Sequence, residues 1–368
     1  MNLFDTLPPV LPDTWKNAAT EDLIMQARER KKILGSKVFI PGHHYQREEV
    51  IQFADVTGDS LQLAQQSASR PEAEVIVFLG VHFMAETADI ITPERQKVIL
   101  PDLRAGCSMA DMATQKQCEA AWETLTEFYG ETIIPVTYVN SSADVKAFVG
   151  KHGGATVTSS NAAEVMKWAY TQKERVLFLP DQHLGRNTAY AAGMPREEMV
   201  VWNQITNELQ PDIAGTEISK AKLLLWKGHC SVHENFRMIH VENIRRYEPD
   251  RKILVHPECS WEVTQASDKS GSTKYIIDQV KNAAPGTKWA IGTEMNLVKR
   301  LALHHPEQSI VSLNPQMCPC LTMNRIDLPH FVWVLDEIVS GRMVHQIKVK
   351  EETAYFAREA IERMMKLV

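Results

Sequence analysis

Cys107, Cys230 and the pair Cys318/Cys320 each close a short apolar run: VILPDLRAGC, LLLWKGHC and IVSLNPQMCPC. Three further apolar runs end in His43-His44-Tyr45, Tyr138-Val139-Asn140 and His256-Pro257-Glu258. Imidazole, phenol and carboxylate groups gathered in one desolvated pocket can be tuned to exchange protons near neutral pH. Three thiolates brought together in a chain that lacks CxxC suit an iron–sulfur cluster with one iron left without a protein ligand. A structural zinc site would want four protein ligands and fits less well. An open iron is a Lewis acid toward a carbonyl or hydroxyl oxygen. Ser60, Ser159 and the Ser272–Thr273 pair form a third set, each ahead of a helical pattern, where hydroxyls and helix N–H groups bind carboxylate or phosphate. The same residues would also serve as plain N-caps. Cys118, within a helical stretch, and Cys259, directly after Glu258, read as buried hydrophobes.

These residues occupy equivalent places in an internal repeat. Each copy runs strand, Ser/Thr turn with helix, strand, then a strand leading to cysteine. The first strands are VFIPGHHY, IIPVTYVN and ILVHPE, and the third parts are VIVFLGVHF, VLFLPDQHL and KWAIGTEMN. His43 to Ser60 is 17 residues, Tyr138 to Ser159 is 21, and His256 to Ser272 is 16. The middle copy carries an insertion over about 186–220. Short apolar strands alternating with helical segments predict an α/β fold of three similar small domains with parallel sheets, placed at 1–115, 116–235 and 236–349. Ligands of such sheets bind at the carboxyl ends of strands, where every unusual residue falls. Packing about a pseudo-threefold axis would bring one cysteine of each copy together. Thr20 as N-cap and Gly35 as stop bound an N-terminal helix. An apolar stripe at Ala354, Ala357, Ile361, Met364/Met365 and Val368 predicts a C-terminal helix over 350–368, expected beside the first domain.

Composition narrows the class. The 368 residues carry 40 Lys+Arg against 46 Asp+Glu, a net charge of −6, which excludes a globally basic nucleic-acid binder. The longest apolar stretch, Val75 to Ala85, is far short of the roughly 20 residues of a membrane span. The opening MNLFDTLPPV shows no secretory pattern, and few cysteines point to a reducing compartment, so a cytoplasmic enzyme is expected.

The strings PGHHYQ, GDSLQLA, LPDLRAGCSMAD, YVNSSADVKA, TSSNA, FLPDQHLGRNTA, WKGHCSVHE, VHPEC, GSTKYII, GTEMNLVKRL and MCPCLTMN resemble the quinolinate synthase family in its longer, Bacillus-type form. The resemblance spans about residues 36–330. It implies three domains in pseudo-threefold arrangement, one [4Fe–4S] cluster, and condensation of dihydroxyacetone phosphate with iminosuccinate to quinolinate, phosphate and water in NAD biosynthesis. Functional coupling to an L-aspartate oxidase is implied as well. The family's cluster ligands fall on Cys107, Cys230 and the MCPC motif. Alignment on the tail after the motif favours Cys318, whereas the 64-residue spacing shared by His43–Cys107 and His256–Cys320 favours Cys320. The family's substrate residues match His43, Tyr45, Ser60, Tyr138, Asn140, Ser159, His256, Glu258 and Thr273, with proton transfer expected of Tyr45 and Glu258. Two other readings of the same residues are an iron–sulfur hydro-lyase on another small carboxylic acid and a cluster-binding sensor. A sensor has no need of the His/Tyr/Glu set.

Overall fold

The structure, a computed structural model, describes residues 9–367. Residues 1–8 of the opening stretch and Val368 of the apolar stripe lie outside the described residues. The repeat folds as its pattern predicts. The first copy contributes β1 (Val38–Phe39), β2 (Pro41–His43), β3 (Val56–Gly58), β4 (Val75–Val77) and β5 (Lys97–Ile99). The second contributes β6 (Ile133–Tyr138), β7 (Ala155–Val157), β8 (Arg175–Leu179), β9 (Met199–Asn203), β10 (Glu208–Pro211) and β11 (Leu223–Trp226). The third contributes β12 (Lys252–Val255), β13 (Lys269–Ser270), β14 (Lys288–Gly292) and β15 (Ser309–Ser312), and β16 (Gln346–Ile347) follows.

The strand orders match between copies. In the second sheet β7, β6, β8 and β11 are neighbours in that order, as are β13, β12, β14 and β15 in the third, all parallel; the insertion adds β9, parallel to β11, and then β10. In the first copy β3 pairs with β2, while β1, β4 and β5 form the sheet proper. The β9–β10 pair is antiparallel and lies within the insertion of the middle copy. Leu223, Leu224, Leu225 and Trp226 of β11 are all fully buried, as expected of a parallel strand covered on both faces.

Backbone details repeat too. The amide of Ile40 donates to Asp55 Oδ2 at 2.8 Å, and that of Ile253 to Asp268 Oδ2 at 2.7 Å, each fifteen residues on. The amides of His43 and His256 donate to Leu79 and Gly292 carbonyls, both at 3.0 Å. Each such bond fixes where a first strand ends relative to its neighbour, and so where its histidine emerges.

The chain forms two compact units, Met1–Cys107 with Cys320–Val349, and Ser108–Pro319 with Lys350–Val368. Two expectations are corrected by the terminal helices. Residues 320–349, expected in the third domain, belong with the first copy. The apolar face of the helix Leu328–Val339 packs on the helix Thr20–Leu34, Arg30 Nε reaches Asp336 at 2.9 Å, and β16 pairs antiparallel with β5. The C-terminal helix Glu351–Met365, expected beside the first domain, packs instead on β7 and the helix Ala143–Lys151. Gly150 permits this, because a Cβ there would overlap the Phe356 carbonyl. The helix Thr20–Leu34 stops at Gly35 (φ 52°) as expected, but its N-cap is Ala19 and not Thr20. No helix among the described residues is long and apolar enough to cross a membrane.

Candidate active site

Within the second unit, β6 ends at Tyr138 and β12 at Val255, with His256, Pro257 and Glu258 in the turn just beyond. Glu258 is 3% exposed. Its carboxylate lies 2.8 Å from Nδ1 of His233, also accepts a hydrogen bond from Tyr138, and has His256 Nδ1 3.8 Å away. Since a carboxylate only accepts, His233 carries its proton on Nδ1 and presents Nε2 to the Thr293 hydroxyl at 3.3 Å. The rings of His233 and His256 stack at 4.7 Å.

Burial alone would raise the Glu258 carboxyl. The neighbouring imidazoles and the hydrogen bonds from His233 and Tyr138 outweigh it and hold the group at about 2. Burial pushes His256 down to about 4, against the pull of Glu258 and with the push of His233. At neutral pH the pocket thus holds an ionised Glu258 beside an uncharged His256.

The two first-strand histidines share a device. The amide of Tyr45 donates to His43 Nδ1 at 3.1 Å, and that of Glu258 donates to His256 Nδ1 at 3.3 Å. Both rings are therefore fixed in the tautomer that carries hydrogen on Nε2. In the first unit His43 is buried and Tyr45 half-buried, their rings edge-to-face at 4.8 Å.

The Ser/Thr turns differ from simple caps. Asp59, not Ser60, caps the helix Ser60–Ala68, accepting from the Gln62 amide at 2.9 Å. Ser272 caps the helix Thr273–Lys281, so Thr273, 7% exposed, is the first helical residue. The helix Ala162–Gln172 starts after Asn161, whose side chain is turned back to the Thr158 amide at 2.7 Å and leaves the helix end uncapped. Ser159 sits in that turn, beside a cleft of about 450 Å³ also lined by Asn187, Pro257 and Ser270. Asn140 is half-buried just beyond β6.

The cysteines sort into two kinds. Cys118 and Cys259 are fully buried, and burial pushes the first thiol up to about 12 and the second well above its ordinary value. Cys107, Cys230 and Cys320 are half-buried, and each stands three residues ahead of a 3-10 turn: Ala110–Met112, His233–Asn235 and Met323–Arg325. The residue before each turn is αR and the residue after it extended. Cys318 is exposed and stands five residues ahead. Accessible thiols of this kind are the donor type that an iron–sulfur cluster takes.

The residues that sequence reasoning passed over are His233, Asp181 and Glu234. His233 lies three residues after Cys230, and one atom each of Cys230, His233 and Glu258 lie within 4.8 Å of one another. Gly228 lets this loop run against β8's end, where a Cβ would overlap the Pro180 carbonyl. Arg186 donates to His183 Nδ1 at 3.2 Å, so His183 donates through Nε2 to Glu234 at 2.9 Å, bracing the Cys230 turn. Asp181 is fully buried. Its Oδ1 accepts from the amides of His183 and Leu184, its Oδ2 has no partner, and burial, then Glu258, push the carboxyl up to about 7.

Residues 24–366 match the family model described as quinolinate synthetase A protein. Proteins named quinolinate synthase are 61% identical over 355 residues in Anoxybacillus flavithermus (96% of each chain) and 60% over 357 residues in Geobacillus thermodenitrificans (97% of this chain, 96% of that one). Another, from Bacillus pumilus, is 59% identical over 369 residues, 99% of each. With the matched residues running through all three copies of the repeat, the chain belongs to the quinolinate synthase family.

Proposed function

We propose that this chain condenses dihydroxyacetone phosphate with iminosuccinate to give quinolinate, phosphate and water. The observation that carries the reading is the buried set of Tyr138, His233, His256 and Glu258 next to Cys230. A sensor that merely held a cluster would have no use for a buried, ionised carboxylate held by an imidazole and a phenol. The proposed cluster ligands are Cys107, Cys230 and Cys320, the last chosen over Cys318 by its place three residues ahead of a 3-10 turn. When bound, a [4Fe–4S] cluster with one iron lacking a protein ligand supplies a Lewis acid that favours loss of water.

The chain's own residues do the rest. Hydroxyls of Ser60, Ser159 and Thr273, at or just before helix N-termini, bind the carboxylates and phosphate with backbone N–H groups. His43 and His256 offer Nε2–H, and Tyr138 and Asn140 help orient the two reactants. Glu258 is ionised and so accepts a proton; displacement of His233 or Tyr138 by substrate would raise its basicity toward the task. Tyr45, whose ring meets His43 edge-on, is the proposed second proton carrier. Iminosuccinate hydrolyses readily, so supply from an L-aspartate oxidase in the same cytoplasmic compartment is part of the proposal.

The test is phosphate release by anaerobically prepared protein given dihydroxyacetone phosphate with and without iminosuccinate. Release that depends on iminosuccinate and is accompanied by quinolinate supports the synthase. Turnover of another carboxylic acid with no phosphate release would favour the hydro-lyase.

A further inference from the structure

In the first unit β5 ends at Ile99 and an irregular segment leads to Cys107. Asp102, midway along it, is 3% exposed. It accepts from the Arg104 amide at 2.9 Å and from Arg104 Nε and Nη2 at 3.0 and 3.1 Å. It also accepts from Arg325 Nε at 3.0 Å, a residue 223 positions away in the 3-10 turn that follows Cys320. His330 Nε2 lies 3.7 Å from the same carboxylate, and its Nδ1 is 2.7 Å from Asp327, the cap of the helix Leu328–Val339. The turn is tied down a second time, because buried Gln46, next to Tyr45, donates to the Met323 carbonyl at 3.3 Å. A buried carboxylate shared by two guanidinium groups is a fixed junction: removing one partner leaves charge unpaired out of water. Here the junction joins the chain five residues before Cys107 to the chain five residues after Cys320.

We propose that Asp102 is a positioning residue that, through Arg325, holds the Cys107 and Cys320 segments in register for cluster binding. The inference rests on the cluster assignment made under the proposed function. Groups that orient metal ligands from behind typically change metal retention about 10- to 100-fold when replaced. Asp102 touches neither iron nor substrate, so its loss acts on retention and cluster geometry. Arg104, on the exposed side, pairs with Asp102 from within the same segment.

The experiment uses cluster-loaded full-length protein, held anaerobically and challenged with an iron chelator while the sulfur-to-iron absorption is followed. Asp102→Asn and Arg325→Gln should each speed iron loss by about 10-fold or more. The double variant should lose iron no faster than either single one, because both remove the same bridge. Arg325→Lys, which keeps the charge but not the planar fork, should recover part of the retention. The reduced cluster's electron paramagnetic resonance should differ between Asp102→Asn and the unaltered protein, a change that lowered stability alone would not produce. If Asp102→Asn folds poorly, Arg325→Gln at the more exposed end of the bridge gives the same reading. Unaltered iron loss in Arg325→Gln, or single effects that multiply in the double variant, would overturn the inference. Absence of any cluster in the unaltered protein would instead strike at the cluster assignment itself.

Discussion

Lowering the pH from 7 to 5 should remove stability that one buried imidazole contributes to the second unit. His256 is 1% exposed, stacked on His233, and held at about 4, whereas an unfolded histidine titrates near 6.5. The folded group is depressed, so below pH 6.5 the unfolded chain binds a proton that the folded chain refuses. Stability from the uncharged ring is fully present above 6.5 and is lost as pH falls toward 4. Each pH unit in that window is worth about 1.4 kcal/mol, giving about 3 kcal/mol in all and about 2 kcal/mol by pH 5. Replacing His256 by Asn removes the titration while keeping a small polar side chain. Denaturant unfolding of cluster-free protein at pH 7 and pH 5 measures the effect as a difference, in which Asp181 largely cancels because both proteins carry it. His256→Asn should be less stable than the unaltered protein at pH 7, and the deficit should shrink by about 2 kcal/mol at pH 5. A deficit of equal size at both pH values would refute the burial argument for a neutral His256.

Other variants probe the remaining assignments. Glu258→Gln keeps the shape but loses the proton acceptor, so turnover should fall by about 10²-fold or more, with the cluster spectrum unchanged. Cys320→Ser should abolish the cluster while Cys318→Ser and Cys118→Ser retain it, read by iron content after anaerobic purification. Asp181 titrates the other way: its raised folded value of about 7 stabilises most below the unfolded 3.8, and that contribution disappears as pH rises through 7. Asp181→Asn, which keeps the Oδ1 acceptor of the helix cap, should therefore gain about 1–3 kcal/mol relative to the unaltered protein between pH 5 and pH 8, by the same unfolding assay.

Local pattern made the repeat and most of the pocket legible. His43 and His256 stand at strand ends because short apolar runs stop there, and the same 3-residue motif, histidine then a residue whose amide returns to Nδ1, recurs in both. Cys118, within a helical stretch, and Cys259, directly after Glu258, read as buried hydrophobes, and both are fully buried. His233 escaped notice, although its place three residues after Cys230 mirrors a position in each copy of the cysteine loop. What brings it into the pocket, a 2.8 Å approach to Glu258, joins residues of two different copies. The same limit explains the exchange of the terminal segments. The helix Leu328–Val339 carries a broad apolar face that any helix could cover, and its partner lies some three hundred residues earlier. Periodicity says that a face must be buried but not against what. The third cysteine is ambiguous in spacing alone, and only the fold shows a 3-10 turn three residues after Cys320, as after Cys107 and Cys230.

The most direct measurement is quinolinate formation from dihydroxyacetone phosphate and iminosuccinate by anaerobic protein as its iron is removed stepwise with a chelator. Quinolinate and phosphate should form in equal amounts, with the rate falling in proportion to the cluster absorption and returning on reconstitution with iron and sulfide. Full activity in iron-free protein, or an intact cluster with no quinolinate formed, would contradict it.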